Sequence, residues 1–228
     1  MKRSEINHII QDTLGFFQEM NFWLPQWAVW TPQNWKGKKD YVREIVECGL
    51  GWDITDFGSG DFEKIGLINF NLRNGALNKT RKNYCEKIIV VNENQVTPLH
   101  THALKFEDII VRAGGCLALE LYQGDEDFKP TSLTATVRID GLPRTVEAGG
   151  KVILSPGESI FLEPGLLHQF HGEPGSGRVL VGEVSAVNDD STDNYFVGGS
   201  PRFPEIEEDV EPEFLLVNDY ERYLWILM

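Results

Sequence analysis

Short β-rich segments occupy the chain from about residue 65 to residue 190, and Gly, Pro, Asn and Asp turns separate them. Apolar and polar residues alternate along several segments, which is the pattern of strands with one buried face. Many short strands at this spacing favour an antiparallel sandwich or a closed barrel. The sequence therefore predicts a mainly β protein. The segments are IGLINFNLRNG, YCEKIIVVNENQVTPLHTH, EDIIVRAGGCLALELY, TATVRIDGLPRTVEAGGKVILS, GESIFLEPGLLHQFHG and GRVLVGEVSAVND.

The first 64 residues have a different pattern, which is typical of helix and loop. Apolar residues at three- and four-residue spacing between positions 4 and 20 predict an amphipathic helix. A second, short helix is expected after Thr31, because Pro32 suits the first helical position. We therefore expect one domain over residues 1–228. It has a helical and loop extension at 1–64, a barrel at 65–190 and an acidic segment at 191–228 that covers the barrel.

The chain is acidic, and this limits the partners that it can bind. Its formal net charge is −14 over 228 residues. Such a surface repels nucleic acid and anionic membranes, so neither is an expected partner. Three cysteines without a CxxC pair favour reduced thiols and a cytoplasmic protein. We expect no signal peptide and no membrane span, because no apolar run has the required length or pattern.

Four of the five histidines lie in two close pairs. Residues i and i+2 of a strand point to the same face, so His100 and His102 can direct both imidazoles at one ion. Glu107 comes five residues later, and an intervening turn or bulge would bring its carboxylate to the same point. His168, on another strand, can supply a fourth ligand. Three imidazoles and one carboxylate suit Mn²⁺, Fe²⁺, Co²⁺, Ni²⁺ or Zn²⁺, so we expect a metal site instead of surface histidines.

The spacing of these ligands resembles the two motifs of the cupin superfamily. HTHALKFEDIIVRAG matches the first, H-x-H-x(4)-E-x(6)-G, and GESIFLEPGLLH matches the second, G-x(5)-P-x-G-x(2)-H, with one exception. Glu163 stands where the second motif has Pro, Asn94 stands where the first often has Gly, and Gly172 replaces a terminal Asn. These departures affect turn residues and leave the four ligands in place. The resemblance implies a cupin barrel, a double-stranded β-helix or jelly roll, over residues 65–190.

A narrower resemblance covers nearly the whole chain. Six segments are similar to the D-lyxose isomerase family: MKRSEIN, FWLPQWAVWTPQNW, LGWDITDFGSGDF, EKIIVV, GEVSAVNDDSTDNYF and RFPEIEED. The resemblance implies a cytoplasmic, homodimeric cupin enzyme that uses Mn²⁺ to interconvert aldoses and ketoses. Its expected reactions are D-lyxose to D-xylulose and D-mannose to D-fructose.

Isomerisation moves a hydrogen between C1 and C2, either as a proton or as a hydride, so we expect catalytic groups beside the metal. Lys105 lies two residues before Glu107, and an extended backbone would point both into the barrel. There the cation and burial would lower the pKa of Lys105, which would donate a proton or bind a sugar oxygen. The resemblance implies that RFPEIEED folds over the pocket, which makes Glu205 the expected base opposite Lys105. Alternatively, Lys105 is a solvent-exposed lysine of a turn, and the charged segment RFPEIEED is a solvent-exposed surface.

Four further residues are expected to bind the sugar. Glu183 shares an inner strand face with apolar residues, where a carboxylate needs a partner or a function. Lys87 is a second cation beside a strand, although a lone lysine there is often exposed. Asp190, in the polar loop VNDDSTDN, is expected to orient hydroxyls, although the loop is also a good solvated turn. Arg202, three residues before Glu205, completes the set.

Three other functions use similar residues. A metal-dependent cupin dioxygenase also has three His and one Glu, but the carboxylate-rich set around the pocket disfavours it. A non-enzymatic sugar-binding cupin would bind without turnover. A sugar-phosphate isomerase needs a basic or glycine-rich phosphate cradle, and none lies near the motifs. The leading hypothesis is therefore a metal-dependent isomerase of free sugars.

Overall fold

The computed structural model describes residues 1–38, 40–76, 80–190 and 192–226, with backbone only for 224–226. Within these ranges the chain forms four α-helices, two 3-10 helices and thirteen strands. The helices are α1 (Arg3–Glu19), α2 (Pro32–Trp35), α3 (Arg43–Glu47) and α4 (Tyr220–Ile226), with 3-10 helices at Gln26–Val29 and Val217–Asp219. The strands are β1 (Gly51–Thr55), β2 (Leu67–Arg73), β3 (Tyr84–Val91), β4 (Val96–Thr101), β5 (Glu107–Gly114), β6 (Leu117–Gln123), β7 (Ala135–Ile139), β8 (Leu142–Val146), β9 (Gly150–Leu154), β10 (Ser159–Leu162), β11 (Leu166–Gly172), β12 (Val179–Ala186) and β13 (Tyr195–Phe196).

The strands form two antiparallel sheets. One has the order β1-β2-β3-β12-β5-β10-β7-β8, and the other has the order β13-β4-β11-β6-β9. From β3 to β6 and from β9 to β12, consecutive strands alternate between the two sheets. The chain therefore winds back and forth across a jelly-roll barrel. The prediction of a mainly β fold is confirmed.

An apolar core fills the space between the two sheets. Fully buried aliphatic side chains come from both sheets, for example Val111 and Val181 from one and Leu119 and Leu121 from the other. Towards one end of the barrel the same inward rows become polar. Along β5 the row runs Val111, Ile109 and Glu107, and along β12 it runs Val179, Val181 and Glu183. The polar end of the barrel is therefore the candidate location of a functional site.

The N-terminal extension packs on the outer face of the larger sheet. The helix expected at 4–20 is found at Arg3–Glu19. Its Ile6 and Ile10 are completely buried in a cluster that includes Trp52 and Phe70. Each such isoleucine contributes about 1.5–3 kcal/mol of hydrophobic free energy. The extension therefore covers the barrel wall that carries β1, β2 and β3.

Arg3 joins the C-terminal segment to the same wall. Its guanidinium is fully buried and lies 2.8 Å from Glu208 and 2.8 Å from Asp219. A backbone bridge also pairs Trp52 of β1 with Leu216. These contacts support the proposal that extension, barrel and C-terminal segment form one domain. Within the described residues, no helix combines the length and the apolar character needed to cross a membrane.

Candidate active site

Three imidazoles meet at the polar end of the barrel. His100 is the penultimate residue of β4, His102 directly follows the strand, and His168 lies on β11 directly across the ladder from His100. All three are buried, and one ligand nitrogen of each lies within 4.8 Å of the others. Between Thr97 and His100, β4 has one residue more than β11. Because of this bulge, both Thr97 and His100 line the same cavity.

A backbone carbonyl orients each imidazole. Nδ1–H of His100 donates to the carbonyl of Pro98 at 2.7 Å, and that of His168 donates to Leu166 at 3.1 Å. Nδ1–H of His102 donates to the carbonyl of Asp193 at 2.9 Å. A neutral ring that donates from Nδ1 keeps a lone pair on Nε2. All three Nε2 atoms are therefore available to a common metal ion.

Glu107 brings a carboxylate to the imidazoles. Its Oε1 lies 3.1 Å from Nε2 of His168, and its Oε2 lies 3.6 Å from Nε2 of His102. Nε2 of His168 is buried without a hydrogen-bond partner among the described residues. Two acceptor atoms at this distance repel each other unless a positive charge lies between them. The donor set of His100, His102, His168 and Glu107 thus fits a divalent transition-metal ion.

Buried ion pairs extend from Glu107 away from the histidines. Nζ of Lys105 lies 2.8 Å from Oε2 of Glu107 and 2.9 Å from Oε1 of Glu183. Nζ of Lys87 lies 3.1 Å from the same Glu183 oxygen and 2.8 Å from Oδ1 of Asn188. The four charged side chains are all at least nine-tenths buried. Carboxylates and ammonium groups alternate, so each buried charge is compensated by a neighbour.

A second ion-pair group, from the segment after β12, closes the cavity. Nε of Arg202 lies 3.1 Å from Oδ1 of Asp190, and its guanidinium also pairs with Asp53 of β1. Nδ2 of Asn194 donates to Asp190 at 2.9 Å. The ring of Phe196 stacks on His100. This segment therefore brings charged, polar and aromatic side chains to the open end of the barrel.

The cavity inside these groups is small. Its free volume is about 40 Å³, counted as positions open to the centre of a water molecule. One water needs about 10–15 Å³ on this measure, so the space holds a few waters. Its lining residues are Phe57, Leu67, Asn69, Lys87, Ile89, Thr97, His100, His102, Lys105, Glu107, Ile109, Phe170, Glu183, Asp190, Asn194, Phe196 and Arg202.

Comparison with known proteins identifies the family. The family model described as D-lyxose isomerase matches residues 1–220. The D-lyxose/D-mannose isomerases of Serratia proteamaculans and Escherichia coli O157:H7 are each 44% identical to this chain, over 98% of its length and 100% of theirs. The chain belongs to the D-lyxose isomerase family. It is therefore a sugar isomerase that interconverts an aldose and a ketose.

A solved structure supports the fold of this family member. An L-ribose isomerase from Cellulomonas parahominis, solved with L-ribose, superposes with a TM-score of 0.59 at 15% identity. The match covers 91% of this chain and 98% of that one. At this identity the likeness concerns the fold, and it confirms the prediction of a cupin-like barrel.

Two buried carboxylates flank Lys105 in this D-lyxose isomerase family member. Burial would lower the pKa of Lys105, but the carboxylates of Glu107 and Glu183 outweigh burial and raise it. Burial would raise the pKa of Glu183, but Lys105 and Lys87 outweigh burial and lower it. The ion pairs therefore favour a protonated Lys105 and an ionised Glu183 at neutral pH. The sequence alone does not show that two carboxylates flank the lysine.

The structure does not bring Glu205, the expected base, to the cavity. Its side chain is exposed, and its carbonyl accepts a hydrogen bond from the terminal amine of Met1 at 2.9 Å. Two residues later, the carbonyl of Glu207 accepts from the backbone N–H of Arg3. After Arg202 the chain is thus held along α1, outside the barrel. The carboxylate that faces Lys105 together with Glu107 is Glu183.

Sequence reasoning missed Asp193, which shapes the turn between β4 and β5. Its carboxylate accepts the backbone N–H groups of Ala103 and Leu104 at 2.9 Å and that of Lys105 at 2.8 Å. The expected turn that returns Glu107 to the histidines is thus present and is supported from another segment. An aspartate in a polar loop usually caps its own turn, so the sequence gives no signal for this distant contact.

Proposed function

We propose that this sugar isomerase interconverts D-lyxose with D-xylulose and D-mannose with D-fructose, with the help of a divalent metal. The observation that carries the proposal is a buried metal-binding group joined through Glu107 to the Lys105–Glu183 pair. The proposal is also supported by relatives named D-lyxose/D-mannose isomerase, which align with almost the entire chain.

His100, His102, His168 and Glu107 would hold the metal. We expect Mn²⁺, and the same donors also suit Co²⁺, Fe²⁺, Ni²⁺ and Zn²⁺. When bound, the cation would polarise the sugar oxygens and stabilise the negative charge that develops during the reaction. The residues around it carry the proton transfers.

In this proposal Lys105 and Glu183 exchange protons with the open-chain sugar. Glu183 takes the proton from C2 and Lys105 donates a proton to O1, which gives an enediol. In the second half, O2–H returns a proton to Lys105. Glu183 then delivers its proton to C1, and the ketose is formed. Lys87, Asp190 and Arg202 are proposed to hold the sugar hydroxyls. Lys87 also keeps Glu183 ionised and ready to accept.

The charges around the cavity favour a neutral sugar over a sugar phosphate. Lys87, Lys105 and Arg202 each form an ion pair with a carboxylate. Among the described lining residues, no unpaired cation is left for a dianionic phosphate, which needs several such donors. We therefore propose free aldoses as substrates.

Entry of the sugar requires an opening, because the cavity holds only a few waters. Asn194, Phe196 and Arg202 lie on the segment that covers it. We propose that this segment moves away to admit the sugar and then returns, which excludes water from the reaction. The homodimer and the cytoplasmic location implied by the sequence resemblance stay predictions, and light scattering of the purified protein tests the first.

The test is ketose formation by metal-stripped protein, with and without added Mn²⁺, on D-lyxose, D-mannose, D-xylose and mannose 6-phosphate. We expect Mn²⁺-dependent ketose from D-lyxose and D-mannose, and far less from the phosphate. Absence of ketose from both sugars, in protein shown to bind Mn²⁺, contradicts the proposal. Oxidation products that require O₂ would then indicate a dioxygenase, and sugar binding without turnover would indicate a binding protein.

A further inference from the structure

Two polar side chains in the active-site cavity have buried atoms without a hydrogen-bond partner among the described residues. These atoms are Oδ1 of Asn69 and Oγ1 of Thr97. The side chains are almost completely buried, and both line the cavity. A buried polar atom without a partner is costly and rare in folded proteins. A third such atom, Nε2 of His168, is accounted for by the proposed metal, but Asn69 and Thr97 are not among its ligands.

The orientation of the Asn69 amide follows from its neighbours. Nδ2 of Asn71 donates to the carbonyl of Gly49 at 2.8 Å, so Oδ1 of Asn71 is left as the acceptor. Nδ2 of Asn69 donates to that oxygen at 3.0 Å. Rotating the Asn69 amide by half a turn would place two acceptors against each other. The cavity therefore meets the carbonyl oxygen of Asn69, which needs a donor.

Thr97 complements this acceptor. Its hydroxyl both donates and accepts hydrogen bonds, and it lies three residues before His100 on β4. The bulge between Thr97 and His100 lets Thr97 face the same cavity as Asn69. A hydroxyl group between the two side chains would donate to Asn69 and accept from Thr97.

Asn69 lies farther along the barrel than the Lys87–Glu183 ion pair. In the β2–β3 ladder Asn71 pairs with Lys87, whereas Asn69 pairs with Ile89. Asn69 is thus one inward step beyond Lys87, in the direction of the apolar core. A sugar whose C1 and C2 lie at Lys105 and Glu183 has room to direct one of its remaining hydroxyls towards Asn69 and Thr97 if its chain runs into the barrel, away from Asp190 and Arg202.

We infer that Asn69 and Thr97 bind a hydroxyl on the half of the sugar remote from C1 and C2 and thereby determine which aldose is accepted. This inference rests on the proposed function, since it requires a sugar with its reacting end at the metal group. The sugar hydroxyl donates to Oδ1 of Asn69 and accepts from Oγ1–H of Thr97. An aldose with no hydroxyl at that point, or with the opposite configuration, leaves both protein atoms unpaired.

The test compares wild type with Thr97→Val, which keeps the shape of the side chain and removes only the hydroxyl. Substrates are D-lyxose and its 3-, 4- and 5-deoxy analogues with added Mn²⁺. For wild type we expect one analogue to lose roughly 10- to 100-fold in kcat/KM. In Thr97→Val the parent sugar loses a similar factor, and the discrimination against that analogue disappears. Rate constants are expressed per concentration of open-chain sugar, so differences in open-chain content do not affect the comparison.

Controls separate recognition from folding. Thr97→Ser keeps a hydroxyl and should restore discrimination. Thr13→Val removes a buried hydroxyl of α1, which donates to Ile9, and should leave the discrimination unchanged. Affinity for Mn²⁺ should be the same in all variants. Thr97→Val should not lower the melting temperature, because the wild-type hydroxyl has no protein partner.

Two results would overturn the inference. If wild type does not discriminate against any of the three analogues, no buried group recognises the remote hydroxyls, and this result needs no variant. If Thr97→Val discriminates as wild type does, Thr97 binds an ordered water only. Failure of the proposed function is a different result, because wild type would then form no ketose from D-lyxose or D-mannose.

Discussion

The main-chain carbonyl of Asp193 accepts the Nδ1–H of His102 at 2.9 Å. The carboxylate of the same residue holds the next three backbone N–H groups, up to Lys105. One aspartate from the covering segment thus orients a proposed metal ligand and fixes the turn that carries the proposed proton donor. Closure of the segment over the cavity and assembly of the metal group are therefore linked through Asp193.

Replacing Asp193 should weaken metal binding without unfolding the barrel. Asp193→Ala removes the acceptor of three N–H groups, so the turn with His102 loosens while the ligands themselves are kept. Contacts that orient metal ligands are typically worth 10- to 100-fold in metal affinity. We expect a loss of this size for Mn²⁺ in calorimetric titration. The matched control is Asp209→Ala, an exposed aspartate that holds Ser4, and equal Mn²⁺ affinity in both variants would contradict the linkage.

The proposed ligands themselves should be indispensable. His100→Ala or His168→Ala removes one of three clustered imidazoles, and we expect loss of both bound Mn²⁺ and isomerase activity. Metal content by elemental analysis, measured together with ketose formation, checks this. His8→Ala, on the exposed side of α1, serves as control. Full manganese stoichiometry in both ligand variants would rule out the proposed set.

Loss of Lys105 should separate chemistry from metal binding. Lys105→Met keeps the length of the side chain and all four proposed ligands but removes the proton donor. We expect Mn²⁺ to stay bound and kcat to fall by about 10²- to 10⁴-fold, the usual contribution of a general acid or base. Lys64→Met, at an exposed ion pair with Asp61, is the control. Unchanged turnover in Lys105→Met would exclude this lysine from the mechanism.

Much of this site could be predicted from the sequence, because its signals are local. The spacing of His100 and His102 and the polar break at Glu183 follow from the two-residue period of a strand. Contacts between distant segments leave no such pattern. Asp193 binds a turn about ninety positions earlier, and the unpaired atoms of Asn69 and Thr97 depend on the whole barrel. The family resemblance led us to expect Glu205 over the pocket, but contacts with Met1 and Arg3 at the start of the chain decide where it lies.

The pH dependence of activity should reveal the charge that Lys87 supplies to Glu183. The wild-type carboxylate has a pKa below the ordinary value of about 4.3, so it is ionised through the whole neutral range. A base must be ionised to accept a proton, so protonation of Glu183 limits activity only in acid. Lys87→Met removes one positive charge, raises the pKa of Glu183 and moves the acidic limb of kcat/KM towards neutral pH. An acidic limb that stays in place would show that Glu183 is not the group that titrates.

The buried Arg3 cluster should be a major source of stability. Arg3→Met leaves Asp219 buried without its cation, since the wild-type guanidinium donates to both carboxylate oxygens at 2.8 and 2.9 Å. Removing one partner of such a buried pair typically costs about 3–5 kcal/mol. We expect a decrease of this order in the free energy of unfolding by urea. The control is Arg43→Met, an exposed pair with Asp40, for which we expect little change in stability because surface ion pairs contribute little. Similar losses in the two variants would mean that the Arg3 cluster does not hold the C-terminal segment. A large loss with a normal KM for D-lyxose would show that the cluster stabilises the fold without shaping the cavity.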